Sequence, residues 1–222
     1  MLQKRLAEYK VVATAFFDAR TPSGKGWLWI TAVLQDYQKL VRFSFEKENQ
    51  FNVSLVTIDR LLFEKDVQQA FLGELVAERL VLPYRSIEGH QYLKDQELRL
   101  KRRIILGSLR NLILEFSEFS KGLQLKPEYF PLDYIHRRAK IFAPSKMLYQ
   151  GLSEPDTREL FLAEVTNRFT FALNKLASDG VLIKKGDFWK VGENFIEENL
   201  QRESSSWFRR DFRQICKSHF YS

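Results

Sequence analysis

Residues 13–37 read ATAFFDARTPSGKGWLWITAVLQDY, and this stretch organises the rest of the chain. Residues 11–17 form a nearly continuous apolar and β-branched run, which is the pattern of a strand buried on both faces. Pro22 and Gly24 then interrupt the run at a point where the chain must turn. A second apolar run covers residues 27–34. We therefore expect two strands joined by a short turn, the first of them in the core.

This strand, turn and strand resemble the polymerase-β-type nucleotidyltransferase domain that is common among small archaeal proteins. The resemblance rests on the order of the elements, on Arg20 at the turn and on the ending VLQDY at residues 33–37. In that family the turn carries Gly-Ser-Arg, and the next strand opens with Ser-Asp-x-Asp. The pattern of residues 59–84 and the segment HRRAK at residues 136–140 extend the resemblance beyond the site.

The metal-binding carboxylates of that family have no counterpart in this chain. Trp27 and Trp29 replace the two aspartates of the strand, and Asn52 replaces a third carboxylate from a later strand. Transfer on this fold depends on two Mg²⁺ ions, and an indole ring supplies no oxygen ligand for them. The resemblance therefore implies a protein without catalytic residues, without a metal site and without a cofactor. Mg²⁺ enters only under the alternative of an active enzyme with an atypical site.

Trp27 and Trp29 have two interpretations. A spacing of two residues puts both side chains on one face of a strand, the face that the aspartates of the family use. The rings then fill a vacated pocket and stabilise the sheet, or they form a platform on which a nucleobase stacks. The first outcome is the commoner one for large apolar rings, and both hypotheses stay open at this point.

The composition favours a folded core and an anionic partner. The chain has 222 residues, of which 45% are hydrophobic and 14% aromatic, and its formal net charge is +7. This charge favours nucleic acid, a ribonucleoprotein or an acidic protein as a partner. The single cysteine, Cys216, excludes an intrachain disulfide and a multi-cysteine zinc site. No apolar stretch is long enough to span a bilayer, so we expect a cytoplasmic protein.

The remaining elements are predicted from periodicity and turn signals. Strands are expected over residues 39–46 and 51–58, and helices over residues 1–10, 67–80, 91–119, 132–149 (interrupted near Pro144) and 153–179. Gly180 ends the last of these helices, with Ser153 as its cap, and residues 181–191 form two short strands around a tight turn. This helix followed by a basic hairpin resembles a winged-helix module. Such modules bind nucleic acid by helix and wing, but they also dock on proteins.

Basic residues cluster on two helices, on the wing and in the C-terminal segment, where they could contact phosphate groups. The positions are Arg99, Arg102, Arg103, Arg137, Arg138, Lys184, Lys185, Lys190, Arg209, Arg210 and Arg213. For the helices the alternative is an ordinary solvated face. For the basic and aromatic segment the alternatives are docking on the protein's own core, on RNA or an acidic surface, or on a membrane surface.

These features predict an α+β protein built from several parts. Residues 1–92 are predicted to form a nucleotidyltransferase-like domain with a small mixed sheet and without the catalytic acids. Residues 93–150 form a helical region, residues 151–200 a winged-helix-like module and residues 201–222 a basic aromatic helix. The predicted function is a non-catalytic nucleic-acid or ribonucleoprotein binding module. The alternatives are an active metal-dependent nucleotidyltransferase with an atypical site, and a structural subunit of a protein complex.

Overall fold

A computed structural model of the chain describes residues 8–20, 26–38, 40–48, 51–143, 145–149, 152 and 155–205. The turn at residues 21–25, most of the helix predicted over residues 1–10 and the Ser153 cap lie outside these ranges. The basic residues after Ser205, including Arg209, Arg210 and Arg213, lie outside them as well.

A five-stranded mixed sheet forms the N-terminal half of the fold. Its strands are β1 (Val11–Arg20), β2 (Gly26–Leu34), β3 (Val41–Glu48), β4 (Phe51–Asp59) and β5 (Arg85–Glu88). Their order in the sheet is β3-β4-β2-β1-β5, in which β2 and β4 run parallel and the other neighbours are antiparallel. β1 is interior and buries Ala13 and Ala15 completely, as its apolar run predicts. The predicted α+β class with a small mixed sheet is confirmed.

The first helix differs from the prediction. Helix α1 (Arg60–Gln69) begins after Asp59, whose carboxylate accepts the N–H groups of the first turn, and ends at Ala70 with φ 54°. The helix predicted over residues 67–80 is therefore wrong. The chain after α1 turns around the buried carboxylate of Asp66 and then forms a 3₁₀ helix, Ala77–Val81. The apolar spacing continues through both elements, which is why periodicity alone merged them.

The remaining helices pack around one long helix, α2 (His90–Glu115), whose residues Leu100 and Leu109 are fully buried. Helices α3 (Tyr129–Ile141) and α4 (Ser145–Leu148) replace the predicted interrupted helix over residues 132–149. Helices α5 (Pro155–Ser178) and α6 (Glu193–Ser205) complete the set of helices in the described ranges. Within those ranges, no helix combines the length and the apolar character that a bilayer crossing requires.

A three-stranded sheet stands beside these helices. Strands β7 (Leu182–Lys185) and β8 (Phe188–Val191) form the predicted hairpin, and Gly186 takes φ 58° at its tip. A third strand, β6 (Gln124–Leu125), pairs with β8 and gives the order β6-β8-β7. β6 and α6 were not predicted. Helix α2 crosses residue 92, the predicted end of the first domain, and β6 pairs with the hairpin of the predicted third part. The division into domains stays a prediction.

Candidate functional site

The strand register brings together the positions where the resembled family has its carboxylates. β2 and β4 run parallel with Trp27 opposite Asn52 and Trp29 opposite Ser54. Ser54 in turn pairs with Phe45 on β3, and Trp29 pairs with Phe17 on β1. Residues that pair directly across neighbouring strands share a face of the sheet. We call the four residues Phe17, Trp29, Ser54 and Phe45 the aromatic row.

A buried cation lies against the aromatic row. The guanidinium carbon of Arg79 is 4.9 Å from the centre of the Trp29 ring, and Arg79 is only 3% exposed. Its Nη1 donates hydrogen bonds to the carbonyl oxygen of Ile30 at 3.3 Å and to Oγ1 of Thr31 at 3.1 Å. Burial lowers the pKa of Arg79 to about 10, so the group stays charged at neutral pH. Trp29 packs on the core and supports a cation on one ring face.

Glu78, which precedes Arg79 in the sequence, forms its hydrogen bonds with residues of α3 and α4. Its Oε2 accepts a hydrogen bond of 2.6 Å from Nε of Arg138 and another of 2.6 Å from Oγ of Ser145. Burial raises the pKa of Glu78, while the bonds from Ser145 and Arg138 act in the opposite direction. In the part of the chain that the structure describes, no group of three or more His, Cys, Asp or Glu side chains is arranged to hold a metal ion.

Arg103 and Arg138, which were predicted as phosphate contacts, form ion pairs inside the protein. Arg103 pairs with Glu74 at 2.6 Å, and its Nε donates to the carbonyl oxygen of Val67 at 2.8 Å. Arg138 pairs with Glu78 at 2.6 Å with almost no exposure to solvent. Arg103 links α2 to the turn after α1, and Arg138 links α3 to the 3₁₀ helix. The carboxylates of Glu74 and Glu78 balance their positive charges.

Arg137 and Arg102 have internal partners too, whereas Arg99 is exposed. Nη2 of Arg137 donates to the carboxylate of Asp133 at 2.6 Å and to Oγ of Ser108 at 2.9 Å. Arg102 forms a half-exposed ion pair of 2.6 Å with Asp179, just after α5. The predicted strip on α2 is thus divided among different neighbours: Arg102 contacts the end of α5, and Arg103 contacts α1 and the turn behind it.

The β7–β8 hairpin, predicted to be the wing of a winged-helix-like module, presents two of its lysines to solvent. Lys184 and Lys185 are exposed next to the Gly186 turn, and Nζ of Lys184 lies 5.8 Å from the centre of the Trp189 ring. Lys190 is half-buried, and its Nζ lies 3.9 Å from a carboxylate oxygen of Glu193. None of the carboxylates in the described ranges forms an ion pair with Lys184 or Lys185. Together with Arg99, these two are the exposed members of the predicted contacts in the described ranges.

A charged cluster between α2 and α5 was not predicted from the sequence. Arg168 binds Glu97 through two hydrogen bonds, of 2.9 Å and 2.7 Å, and its guanidinium carbon lies 4.3 Å from the centre of the Tyr84 ring. Lys101 donates to the same carboxylate, and burial lowers the pKa of Lys101 to about 8. Although burial alone would raise the pKa of Glu97, Lys101 and Arg168 hold it below its ordinary value. The spacing of Glu97 and Lys101 signals an ion pair on one helix, but not its burial.

A cleft of about 420 Å³ opens beside this cluster, between the start of β5 and the middle of α5. It is lined by Phe16, Pro83, Tyr84, Arg85, Glu164, Asn167 and Arg168. Its lining combines aromatic surface with both signs of charge. The cleft therefore selects no single ligand class by its charge.

The positive charge of the chain is unevenly distributed. Eight of the 35 lysine and arginine residues and two of the 28 aspartate and glutamate residues lie outside the described ranges, which leaves a net charge of +1 inside them. The sequence after Ser205 alone has four basic residues and one acidic residue. Attraction of an anionic partner would therefore come mainly from the ends of the chain and from local patches such as the wing.

Comparisons with known proteins give one distant likeness to report. No protein-family model matches the chain, and no curated protein matches it. Among solved structures, the chain is similar to a nucleotidyltransferase-like protein from Exiguobacterium sibiricum 255-15. The sequence identity is 16%, the alignment covers 81% of this chain and 73% of that chain, and the TM-score is 0.36. A likeness of this size carries no argument about the family or the activity of this chain.

Proposed function

We propose that this chain is a non-catalytic protein with a nucleotidyltransferase-like sheet that binds nucleic acid or a ribonucleoprotein through its C-terminal part. The observation that carries the loss of catalysis is the contact between Arg79 and Trp29. A buried guanidinium lies beside the sheet positions at which the resembled family holds its metal ions. The chain has a fixed positive charge there in place of the carboxylates.

The electrostatics of that contact oppose a metal ion. Two like unit charges about 5 Å apart repel by roughly 3 kcal/mol at an effective dielectric constant of about 20, and Mg²⁺ carries twice the unit charge. Asn52 and Ser54 supply neutral oxygens at best, which do not compensate that repulsion. Transfer that depends on two Mg²⁺ ions therefore has no support at this site.

The C-terminal part supports the assignment of a winged-helix-like module. α5 leads directly into the β7–β8 hairpin, and β6 completes an antiparallel sheet against which the helices pack. The hairpin tip carries Lys184 and Lys185, both exposed. This arrangement presents a short basic loop next to a helix, which suits contact with a phosphate backbone.

The wing suits this contact better than α5 does. The first half of α5 exposes three acidic side chains, Asp156, Glu159 and Glu164, against one exposed basic side chain, Arg158. An acidic helix face repels phosphate groups, so insertion of this helix into a DNA groove is unfavourable. We assign nucleic-acid contact to Lys184 and Lys185 of the wing, together with Arg209, Arg210 and Arg213 of the C-terminal sequence.

The test is the salt dependence of binding by the full chain. Fluorescence anisotropy with labelled single-stranded RNA, single-stranded DNA and duplex DNA would give the dissociation constant over a series of KCl concentrations. Replacing Lys184 and Lys185 by Ala should weaken binding and make the slope of log K against log[salt] shallower by about 0.7 per lost contact on single strands. Lys65→Ala and Lys146→Ala, which remove exposed lysines elsewhere, serve as matched controls.

Other outcomes would select the alternative functions. Mg²⁺-dependent turnover of any nucleoside triphosphate by the purified chain would establish an active enzyme and contradict the proposal. Absence of salt-dependent binding would also contradict it. In that case, recovery of a nuclease-resistant protein partner from extract would favour a structural subunit.

A further inference from the structure

β3 forms one edge of the five-stranded sheet and pairs only with β4 among the described strands. An edge strand presents a row of backbone N–H and C=O groups that can pair with another strand. β3 also carries two exposed aromatic side chains, Phe43 at 38% exposure and Phe45 at 63%. An eight-residue edge strand with two exposed aromatic side chains is a candidate surface for pairing with another strand.

The two faces of β3 differ in character. Phe43 and Phe45 lie opposite Val56 and Ser54 of β4, on the side of the sheet that the helices cover. Arg42 and Glu46 alternate with them and therefore lie on the other face. One face of the edge is thus aromatic, and the other carries one charge of each sign.

The sequence of β3 is self-complementary about Ser44. When two copies of the strand pair antiparallel with Ser44 opposite Ser44, Phe43 of each copy faces Phe45 of the other. In the same register Arg42 of each copy faces Glu46 of the other. Cross-strand pairs of aromatic side chains and of opposite charges both stabilise a sheet. Two-fold symmetry produces each favourable pair twice.

Neighbouring registers lose one or both of these matches. An axis at Phe43 keeps Phe43 opposite Phe43 but sets Arg42 against Ser44. An axis between Ser44 and Phe45 sets Phe43 against Glu46, and an axis at Phe45 sets Phe43 against Lys47. The charges of Arg42 and Glu46 also cancel within each copy, so this face of the edge does not attract a polyanion. A second copy of the chain is the occupant that the edge fits.

We propose that the protein forms a homodimer in which β3 pairs antiparallel with β3 of a second copy, with Ser44 on the two-fold axis. The pairing joins two five-stranded sheets edge to edge and covers Phe43 and Phe45 of both copies. It shares Phe45 with the aromatic row, but it uses neither the lysines of the β7–β8 hairpin nor the contact between Arg79 and Trp29. The dimer is therefore independent of the proposed nucleic-acid function.

Disulfide trapping tests the register. In a Cys216→Ser background of the full chain, Ser44→Cys puts two thiols opposite each other, with Cα atoms about 4.5–5.5 Å apart, which a disulfide spans. Arg42→Cys is the control on the same face, used at a protein concentration at which sedimentation shows this variant to be dimeric, since its Cα atoms would be roughly 14 Å apart across the axis at about 3.4 Å per residue. We expect mild oxidation to give covalent dimer with Ser44→Cys and little with Arg42→Cys. Equal yields from the two variants would overturn the register.

Charge reversal tests the pairing in solution. Arg42→Glu or Glu46→Arg alone puts like charges opposite each other twice, and each change should raise the dimer dissociation constant about tenfold. The double variant Arg42→Glu/Glu46→Arg restores opposite pairs and should recover the wild-type constant. Sedimentation of nuclease-treated protein over a dilution series measures this against the 26.3 kDa chain mass. A wild-type chain that stays monomeric throughout, or a double variant no better than the single ones, would refute the dimer.

Discussion

Arg138 and Glu78 form an ion pair of 2.6 Å across 60 residues of sequence, with side chains only 10% and 3% exposed. Arg138 lies on α3 and Glu78 in the 3₁₀ helix after α1, so the pair ties the sheet-bearing half of the chain to the helices that follow. Ser145, on α4, donates to the same carboxylate oxygen. One buried carboxylate thus joins three elements that local sequence does not connect.

Loss of the cation of this pair should be costly. Arg138→Ala leaves the buried Glu78 without its main partner, and we expect the free energy of unfolding to fall by about 3–5 kcal/mol. Urea denaturation measures the change. Arg60→Ala is the matched control, because its 2.9 Å pair with Glu64 is exposed and should contribute far less to the free energy of unfolding. Similar losses in the two variants would contradict the importance of burial.

Two glycines should respond to alanine in opposite directions. Gly89 has φ 66°, and a Cβ atom there would lie 2.2 Å from the carbonyl oxygen of Val12. Gly89→Ala therefore strains the backbone and forces α2 away from β1, and we expect it to destabilise the fold by more than about 2 kcal/mol. Gly107, inside α2, has nothing within 4 Å of such an atom. Gly107→Ala should raise the melting temperature through a gain of about 0.5–1 kcal/mol. A stable Gly89→Ala variant would show that the contact with β1 is not required.

Asp66 should behave as a structural centre of the turn after α1. Its buried carboxylate accepts four backbone N–H groups, those of Leu72 at 2.8 Å, Glu74 at 3.0 Å, Val76 at 3.3 Å and Ala77 at 3.0 Å. Asp66→Asn replaces one acceptor oxygen by a donor, and we expect a loss of about 3 kcal/mol or more in urea unfolding. Asp59→Ala, which removes the cap of α1 and the acceptor of the Tyr37 N–H, should cost about 1–2 kcal/mol. An Asp66→Asn loss no larger than that of the cap variant would count against this role.

Lys101 should make stability depend on pH above neutrality. Burial lowers its pKa in the folded chain from 10.5 to about 8. Between these values the unfolded chain binds the proton more tightly, so the free energy of unfolding rises with pH as the folded lysine becomes neutral. We expect the stability of wild type relative to Lys101→Met to increase from pH 8 to about pH 10, by up to roughly 1.4 kcal/mol per unit. A difference that stays constant over this range would contradict the shift.

The strands and helices with strong periodicity were predictable. The apolar runs of β1 and β2, and the stripe of α5 leading to Gly180, place those elements within about two residues of their observed bounds, except that β1 continues to Arg20. β5 and β6 were missed because they have only four and two residues. Strands so short have no period of their own and form only because β1 and β8 offer an edge.

The partners of the side chains at the candidate site were not predictable either, because they are distant in sequence. Helical spacing located Arg102 and Arg103 on α2, but their partners Asp179 and Glu74 are brought near only by the tertiary fold. The sequence around Arg79 does contain a signal of burial. Glu78 and Arg79 interrupt an otherwise apolar run from Leu75 to Leu82. Two charged residues in such a run predict buried side chains that form hydrogen bonds or ion pairs within the fold.

Helix α2 is a rigid connection between the five-stranded sheet and the C-terminal helices. Its 26 residues make a rod about 39 Å long. Its first turn follows Gly89, against β1, and its central residues Leu100 and Leu109 lie in the same hydrophobic core as residues of α5 and the wing hairpin. A displacement of α5 would therefore reach β1 through this rod, because α2 packs against both elements and has no break between them. Partners held at the two ends of the molecule would be coupled mechanically, with no change of secondary structure between them.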